Sequence, residues 1–297
     1  MNNGFIIAPE GMDLRDVDVW SKIYEAKTYG TVIPARIIRR REIEGQGGAW
    51  EIMFPEVPGI IGLVPESQTG LPQGTPMSAF VGSPINVKVS GINRQERIVA
   101  CSRKEAVEVF FSKFAKNVEV GDEIPAVVKF VRGGNLYLDI GGGIILRIPA
   151  EKARLSPGTP VDAQYMRNDY IDLIVTGLDR IEKTVTVDLA DPWEKWNLGR
   201  GEILTGTVVI IRDKLAFIRV KPGVVGLAPY SNWDDYGIDA QLLFQVSVFD
   251  PESRKLRLVV WDPDKAKLRR KAMVKAKSRK TDHAGARFAE YGFQAGD

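Results

Sequence analysis

The chain has 297 residues, of which 44% are hydrophobic and 27% charged, and its formal net charge is +3. This length and composition suit about two to four globular domains and exclude a disordered polyelectrolyte. A single cysteine, Cys101, and a single histidine, His283, exclude an internal disulfide framework, a multi-cysteine zinc site and the metal sites built on several histidines. The first residues lack a secretion signal, and no apolar run reaches the length of a membrane span, so we expect a cytoplasmic protein.

An N-terminal segment, residues 1–29, ends in a tryptophan-bearing stretch, VDVWSKIYEAKTYG, that we predict to be a helix, and an internal repeat follows it. Its clearest mark is a five-residue run of alternating apolar residues that closes on Asn or Asp, which is typical of a strand entering a turn. The copies are VSGIN (Val89–Asn93), VTGLD (Val175–Asp179) and VSVFD (Val246–Asp250). Each is followed by a polar turn, a basic residue (Arg97, Lys183 or Arg254) and a second alternating run.

The match extends upstream of these hairpins. In the second copy Arg132 is followed by Tyr137 and Pro149 at the same offsets that separate Arg212, Phe217 and Pro229 in the third, at a period of 80 residues. In the first copy Pro65 lies 24 positions after Arg41, where the corresponding separation in the other copies is 17 positions, which indicates an insertion around IEGQGG. Such agreement predicts three copies of one folded unit.

Each copy holds about five short strands within about 70 residues, which suits a small closed β-barrel. The expected fold class is all-β, with three tandem five-stranded barrels of the oligonucleotide-binding (OB) type, short helical connectors and a basic tail; barrels of another kind are the alternative. The predicted segments after residues 1–29 are 30–106 (barrel), 107–120 (connector), 121–191 (barrel), 192–200 (linker), 201–263 (barrel) and 264–297 (tail).

The connectors and the tail differ in character. Ser102–Asn117 has helical spacing with an aromatic stripe that we expect to pack between barrels. The second connector, DPWEKWNLG, carries Trp193 and Trp196, which we predict to seal a barrel junction. Stacking of these tryptophans on RNA is the alternative. The tail is strongly basic and predicts sequence-independent attraction to RNA, or an acidic protein partner. Its basic residues are Lys265, Lys267, Arg269, Arg270, Lys271, Lys275, Lys277, Arg279 and Lys280.

Three stretches resemble the S1 RNA-binding domain family: PGIIGLVPESQ (Pro58–Gln68), FVRGGNLYLDIGG (Phe130–Gly142) and PGVVGLAPYS (Pro222–Ser231). The resemblance covers roughly Val17 to Pro263 and implies OB-type barrels that bind single-stranded RNA on their second and third strands, with a role in translation. It implies no catalysis, cofactor or metal. The expected partners are single-stranded RNA, such as mRNA, and the ribosome, with no membrane and no small-molecule substrate.

Strand parity, combined with the resemblance, assigns the RNA-stacking position. Tyr137 and Phe217 alternate with apolar residues that face the barrel interior, so we expect both rings to point outward; burial under a loop is the alternative. In the first copy the same parity puts Glu51 at this position, where it would repel phosphate, unless a register shift restores Trp50. We therefore expect recognition to be concentrated in the second and third copies.

Further candidates surround this position. The family's third-strand aromatic is absent, but Arg147 stands there in the second copy, and Tyr230 and Trp233 could supply a platform in the third or pack against the barrel end. The basic residues expected near the RNA face are Lys129, Arg132, Arg212 and Arg219, with a solvated surface role as the alternative.

An enzyme is not expected. The sequence has no GxxxxGK[ST] motif and no paired histidines, and the Gly141–Gly143 run is typical of a turn between strands. The leading hypothesis is a non-catalytic protein that binds single-stranded RNA. The competing hypothesis is a protein-interaction scaffold whose barrels dock onto the ribosome or another assembly, and Glu51 and the nearly neutral body favour it for the first copy.

Overall fold

The computed structural model describes residues 19–43, 47–231 and 236–262. The helices are α1 (Val19–Tyr29), α2 (Arg103–Asn117), α3 (Ala150–Ala153), α4 (Val161–Gln164) and α5 (Pro192–Lys195). The strands form three sets: β1 (Ile33–Ile43), β2 (Gly47–Phe54), β3 (Val57–Pro65), β4 (Pro84–Asn93) and β5 (Ile98–Ser102); β6 (Glu123–Arg132), β7 (Asn135–Asp139), β8 (Ile145–Ile148), β9 (Tyr170–Asp179) and β10 (Thr184–Leu189); and β11 (Ile203–Arg212), β12 (Leu215–Lys221), β13 (Val224–Pro229), β14 (Gln241–Asp250) and β15 (Lys255–Val260).

These sets form barrel 1 (β1–β5), barrel 2 (β6–β10) and barrel 3 (β11–β15). Barrels 1 and 3 close with the strand orders β1-β2-β3-β5-β4 and β11-β12-β13-β15-β14. Barrel 2 is nearly closed: its strands form one sheet in the order β10-β9-β6-β7-β8, and the short β8 is an edge. The predicted fold class is thereby confirmed, while the basic tail lies outside the described residues. None of the described helices is long and apolar enough to cross a membrane.

The chain divides into two compact units. Unit 1 contains residues 1–153 and 165–190, and therefore barrels 1 and 2. Its two barrels are joined by α2, whose first turn is capped by the Ser102 hydroxyl, which accepts a hydrogen bond from the Glu105 amide at 3.1 Å. The ring of Phe111 is buried, and Phe110 lies so close to Gly142 that a side chain there would collide with it. The predicted helix and its apolar stripe are thus confirmed.

Among the described residues, unit 2 contains 154–164, 191–231 and 236–262, so part of the connection between β8 and β9 packs with barrel 3. Gln164 holds this connection together, although it is fully buried. Its amide group exchanges four hydrogen bonds with the backbone of Leu155, Ser156 and Thr159, at 2.8–3.1 Å. The Ser156 hydroxyl in turn bridges the Gly223 carbonyl and the Val225 amide. A buried amide satisfied in this way makes a fixed contact to the β12–β13 turn.

The third strands of barrels 1 and 3 carry a glycine at the same position because a larger residue would collide with the core. A Cβ atom on Gly62 would lie 2.5 Å from Ile52, and one on Gly226 would lie 2.8 Å from Leu258, so both barrels need glycine where this strand crosses the core.

The repeated closing hairpins are β4–β5, β9–β10 and β14–β15, each with one register shift. Their recurring basic residues adopt left-handed backbone, with φ of 55° at Arg97, 52° at Lys183 and 50° at Arg254.

Candidate nucleic-acid interface

One position on the second strand is equivalent in all three barrels. In each barrel it pairs with one residue of the first strand, next to a β-bulge, and with one residue of the third. The resulting rows are Arg39–Glu51–Leu63 (row 1), Phe130–Tyr137–Arg147 (row 2) and Ile210–Phe217–Leu227 (row 3). The rows let the three candidate faces be compared residue by residue.

Row 1 holds a carboxylate rather than a ring. Trp50 is buried and donates its indole N–H to the Met77 carbonyl at 3.0 Å, so the parity assignment of Glu51 is confirmed and the alternative register is wrong. Glu51 is only 5% exposed, and its Oε2 lies 3.0 Å from Nη2 of Arg39 and 3.7 Å from Nη1 of Arg41. Because both guanidinium groups are exposed, the buried carboxylate partly neutralises positive charge that would otherwise face solvent.

Row 2 is covered, and the expectation of an outward, open ring at Tyr137 is wrong. The ring is 4% exposed and stacks on Phe130 with centroids 4.5 Å apart and an interplanar angle of 25°. Phe80, from the 3₁₀ turn Met77–Phe80 of barrel 1, meets Phe130 edge-on at 5.4 Å and 84°. Tyr137 therefore belongs to a hydrophobic cluster that it shares with the core of barrel 1. The alternative of a covered ring holds here: Phe130 of the same barrel stacks on Tyr137, and Phe80 of barrel 1 packs against Phe130.

A buried arginine fixes the same contact between barrels 1 and 2. The Arg103 guanidinium donates to the carbonyl of Thr69 in barrel 1, at 2.6 Å, and to that of Gly143 in barrel 2. Burial lowers the pKa of Arg103 to about 10, while the charge of Asp139 acts in the opposite direction. Because a buried guanidinium without partners is strongly unfavourable, these two carbonyls hold Arg103 and the two barrels in place.

The basic residues of barrel 2 have local partners. Lys129 is partly buried, with Nζ 3.6 Å from Oδ2 of Asp139, and Arg147 is exposed and donates from Nη2 to the Asn135 side chain at 3.3 Å. Arg132 is exposed at the end of β6. Barrel 2 thus offers exposed positive charge at Arg132 and Arg147 beside a covered ring.

Row 3 also has a buried ring, so the expectation of an open ring is wrong for Phe217 as well, but here an exposed side chain lies over the ring. Phe217 is 7% exposed, and the Arg212 guanidinium carbon lies 5.6 Å from its ring centroid. Arg212 is itself exposed and pairs with the exposed Asp213 at 3.3 Å. Next to Phe217 on β13 is the exposed Leu227, which is followed on β15 by the exposed Arg257. An arginine over a phenyl ring is a cation–π contact that a base can replace.

The remaining predicted residues of barrel 3 lie around row 3 or outside the described residues. Arg219 is partly buried on β12 and faces Val225 across the sheet. Tyr230 follows β13, donates its hydroxyl to the Tyr236 carbonyl at 3.3 Å and meets the Tyr236 ring edge-on, so it packs at the barrel end. The predicted residues without a described position are Trp233, Lys265, Lys267, Arg269, Arg270, Lys271, Lys275, Lys277, Arg279 and Lys280.

Two of the three recurring hairpin residues bind carboxylates of the preceding connectors. Lys183 pairs with Glu108 on α2, and Arg254 pairs with Asp191 at the start of α5. These two residues therefore brace the fold against a carboxylate. Among the described residues, no group of three or more Asp, Glu, His or Cys side chains could hold a metal ion.

Two residues at these faces were missed from the sequence. Arg257 could have been found, because the alternation of KLRLVV puts it on the outer side of β15. Phe80 could not have been found in this way, because it lies in a connection between strands of the first repeat and packs against Phe130 of the second.

Comparisons with known proteins find distant sequence relatives. No protein-family model matches the sequence. The small ribosomal subunit protein bS1 of Streptococcus pneumoniae (strain R6) is 27% identical over 193 residues, covering 59% of this chain and 46% of that protein. The bS1 of Leuconostoc lactis is 23% identical over 237 residues, covering 76% of this chain and 52% of that protein. The chain spans about half the length of the curated relatives it matches.

Two solved structures align with low scores. One is a multidomain protein with nucleic acid binding domains from Streptococcus pneumoniae, which aligns over 78% of this chain and 73% of its own at 12% identity and a TM-score of 0.26. The other is an a/eIF2alpha-aDim2p-rRNA complex from Pyrococcus horikoshii, which aligns over 29% and 55% at 13% identity and a TM-score of 0.22. These TM-scores are too low to indicate a relationship, so the relationship to bS1 depends on the sequence matches and on the three barrels. The sequence matches and the three barrels together identify the protein as a distant homologue of ribosomal protein bS1.

Proposed function

We propose that this protein binds single-stranded RNA without catalysing a reaction, and that barrel 3 is its principal RNA-binding domain. The observation that carries the proposal is row 3, where Phe217 lies under the exposed guanidinium of Arg212 and beside Leu227. The distant relationship to bS1 supports RNA as the ligand class, because that protein is named as a component of the small ribosomal subunit.

The chemistry of row 3 suits a ligand with bases and phosphates. A base that stacks on Phe217 displaces Arg212, whose guanidinium is then free to pair with a phosphate of the same strand. Arg257 and Arg219 lie on neighbouring positions of the sheet and supply further positive charge. Stacking tolerates any base, so binding is expected to be salt-dependent and only weakly sequence-specific.

Barrels 1 and 2 have different parts in this proposal. Row 2 is covered by Phe80 and Phe130, so barrel 2 contributes through the exposed Arg132 and Arg147 rather than through Tyr137. The basic segment between Lys265 and Lys280 adds attraction to phosphates. The distant relationship to bS1 supports the further proposal that the protein acts in translation, on mRNA in the cytoplasm.

A second candidate function applies to barrel 1. Glu51 removes the ring from row 1 and neutralises part of its arginine charge, which favours a surface that contacts protein rather than RNA. Under this alternative, barrel 1 docks the protein onto the ribosome or another assembly while barrel 3 holds RNA.

A fluorescence anisotropy titration with single-stranded RNA at several salt concentrations tests the proposal. Phe217→Ala should weaken binding about 5- to 150-fold, because stacking contributes about 1–3 kcal/mol per base. Leu215→Ala, on the same strand, is the control and should bind like the unaltered protein. If Phe217→Ala has no effect while removal of residues 264–297 abolishes binding, the tail holds the RNA and the assignment to barrel 3 is wrong. Absence of binding at low salt would favour the scaffold.

A further inference from the structure

The segment that leads into barrel 3 contains two tryptophans in different environments. Trp193 is fully buried, donates its indole N–H to the Gly223 carbonyl at 3.2 Å and stacks on Phe249 with centroids 5.9 Å apart and an interplanar angle of 6°. Asp191 caps α5 by accepting from the Trp193 amide and pairs with Arg254. These contacts already fix the segment against the β12–β13 turn.

Trp196 is arranged differently. It is partly exposed and meets Phe249 only edge-on, at 6.3 Å and 66°. The ammonium group of Lys221 lies 4.2 Å from its ring centroid, over the ring face. One face of an indole is therefore covered by a single cation from a long, flexible side chain. This is the arrangement of row 3, where an arginine covers Phe217.

The position of Trp196 extends the RNA face of barrel 3. Lys221 ends the strand that carries Phe217 and Arg219, and it lies four positions after Phe217, which corresponds to about 13 Å at the rise of a β-strand. A β-bulge between Arg219 and Lys221 changes the direction of this strand end. Trp196 thus supplies an aromatic ring beyond the strand, whereas Leu227 leaves β13 without one.

We propose that Trp196, covered by Lys221, is a second base-stacking site for single-stranded RNA at the β12–β13 turn of barrel 3. The inference rests on the proposed RNA-binding function and names a ring that lies outside the barrel strands. A base stacked on indole contributes more than a cation–π contact at a partly exposed ring, so RNA takes the place of the Lys221 ammonium on the Trp196 ring. The released ammonium then pairs with a phosphate next to that base.

The test is the affinity of the full chain for an oligouridylate of about 12 nucleotides, within the range of site sizes known for OB folds. Trp196→Ala should weaken binding about 5- to 150-fold, and Trp196→Phe should restore most of the loss, because phenyl also stacks with bases. Tyr170→Ala, which removes an exposed tyrosine of unit 1, is the control and should bind like the unaltered protein. Hydrogen exchange of β12–β15 shows whether barrel 3 stays folded in each variant.

The outcomes separate this inference from the proposed function. If Trp196→Ala binds normally while Phe217→Ala loses affinity, the second site is wrong and the RNA face of barrel 3 stands. If neither variant loses affinity, the RNA-binding proposal for barrel 3 fails with it. A loss in Trp196→Ala that Trp196→Phe does not restore, accompanied by faster exchange in β12–β15, would assign Trp196 a packing role and overturn the inference.

Discussion

Phe80→Ala should uncover the row 2 ring and give barrel 2 an RNA-stacking site. Phe80 is buried between Trp50, at 5.8 Å, and Phe130, at 5.4 Å, and Phe130 stacks on Tyr137. Removing a buried phenyl ring costs about 3–5 kcal/mol, to which the edge-on aromatic contact contributes about 0.5–1.5 kcal/mol. The change removes the aromatic partner that fixes Phe130, so Tyr137 becomes accessible from the side of barrel 1.

The expected gain follows from the stacking energy. One base on a freed Tyr137 contributes about 1–3 kcal/mol, so the affinity of Phe80→Ala for single-stranded RNA should rise by up to about 150-fold. The assay is anisotropy on four proteins: the unaltered chain, Phe80→Ala, Tyr137→Ala and the double variant. Tyr137→Ala alone should leave the affinity unchanged, and in the double variant it should remove the gain. Val81→Ala, at the exposed neighbouring position, is the control.

One result would refute the reasoning directly. If Tyr137→Ala in the otherwise unaltered chain weakens RNA binding as strongly as Phe217→Ala, then Tyr137 contacts RNA with Phe80 in place. The packed rings would then not close row 2, and barrel 2 would rank with barrel 3 as a stacking domain.

Three further predictions concern the packing of single residues. Arg103→Met should lower the free energy of unfolding of unit 1 by about 3–5 kcal/mol in urea denaturation, because the Thr69 and Gly143 carbonyls lose a charged donor. Lys104→Met, at the exposed neighbouring position, is the control and should have little effect. Burial raises the pKa of the Cys101 thiol to about 12, so a disulfide reagent at pH 8 should modify it only as barrel 1 unfolds; rapid labelling of the native protein would contradict this. Gly226→Ala should destabilise barrel 3 by about 1–3 kcal/mol and accelerate hydrogen exchange in β13–β15, whereas Gly237→Ala, which meets no atom within 4 Å, should not.

The barrels could be predicted from the sequence because their signals are local. The alternation in β2 puts Trp50, Ile52 and Phe54 inside, and all three are buried. The repeated hairpins follow from alternation and turn residues within a few positions of each other. Even the absence of a ring from row 1 could be predicted, since Glu51 is assigned by parity alone.

The covers of the rows could not be predicted in the same way. Phe80 closes row 2 from another repeat, and neither its own neighbours nor those of Tyr137 indicate that the two stretches meet. Gln164 gives a second example, because a polar residue in a connection is expected in solvent and is instead fully buried with its amide satisfied. Both contacts form only when elements that are distant in the sequence pack together. The periodicity of apolar residues within one stretch of sequence does not indicate which other stretch it will contact.

The three rows differ less in the residue they present than in what must move before a ligand can reach it. In row 1 two arginines lie against a buried carboxylate, and no ring is present. In row 2 packed rings shared with another barrel must separate, at a cost of the order of a core substitution, about 3–5 kcal/mol. In row 3 the exposed Arg212 must leave the ring of Phe217, and this cation–π contact contributes about 0.5–1 kcal/mol. One stacked base contributes about 1–3 kcal/mol, which outweighs the cation–π contact of row 3 but not the packed rings of row 2, and this difference supports the proposal that barrel 3 binds RNA.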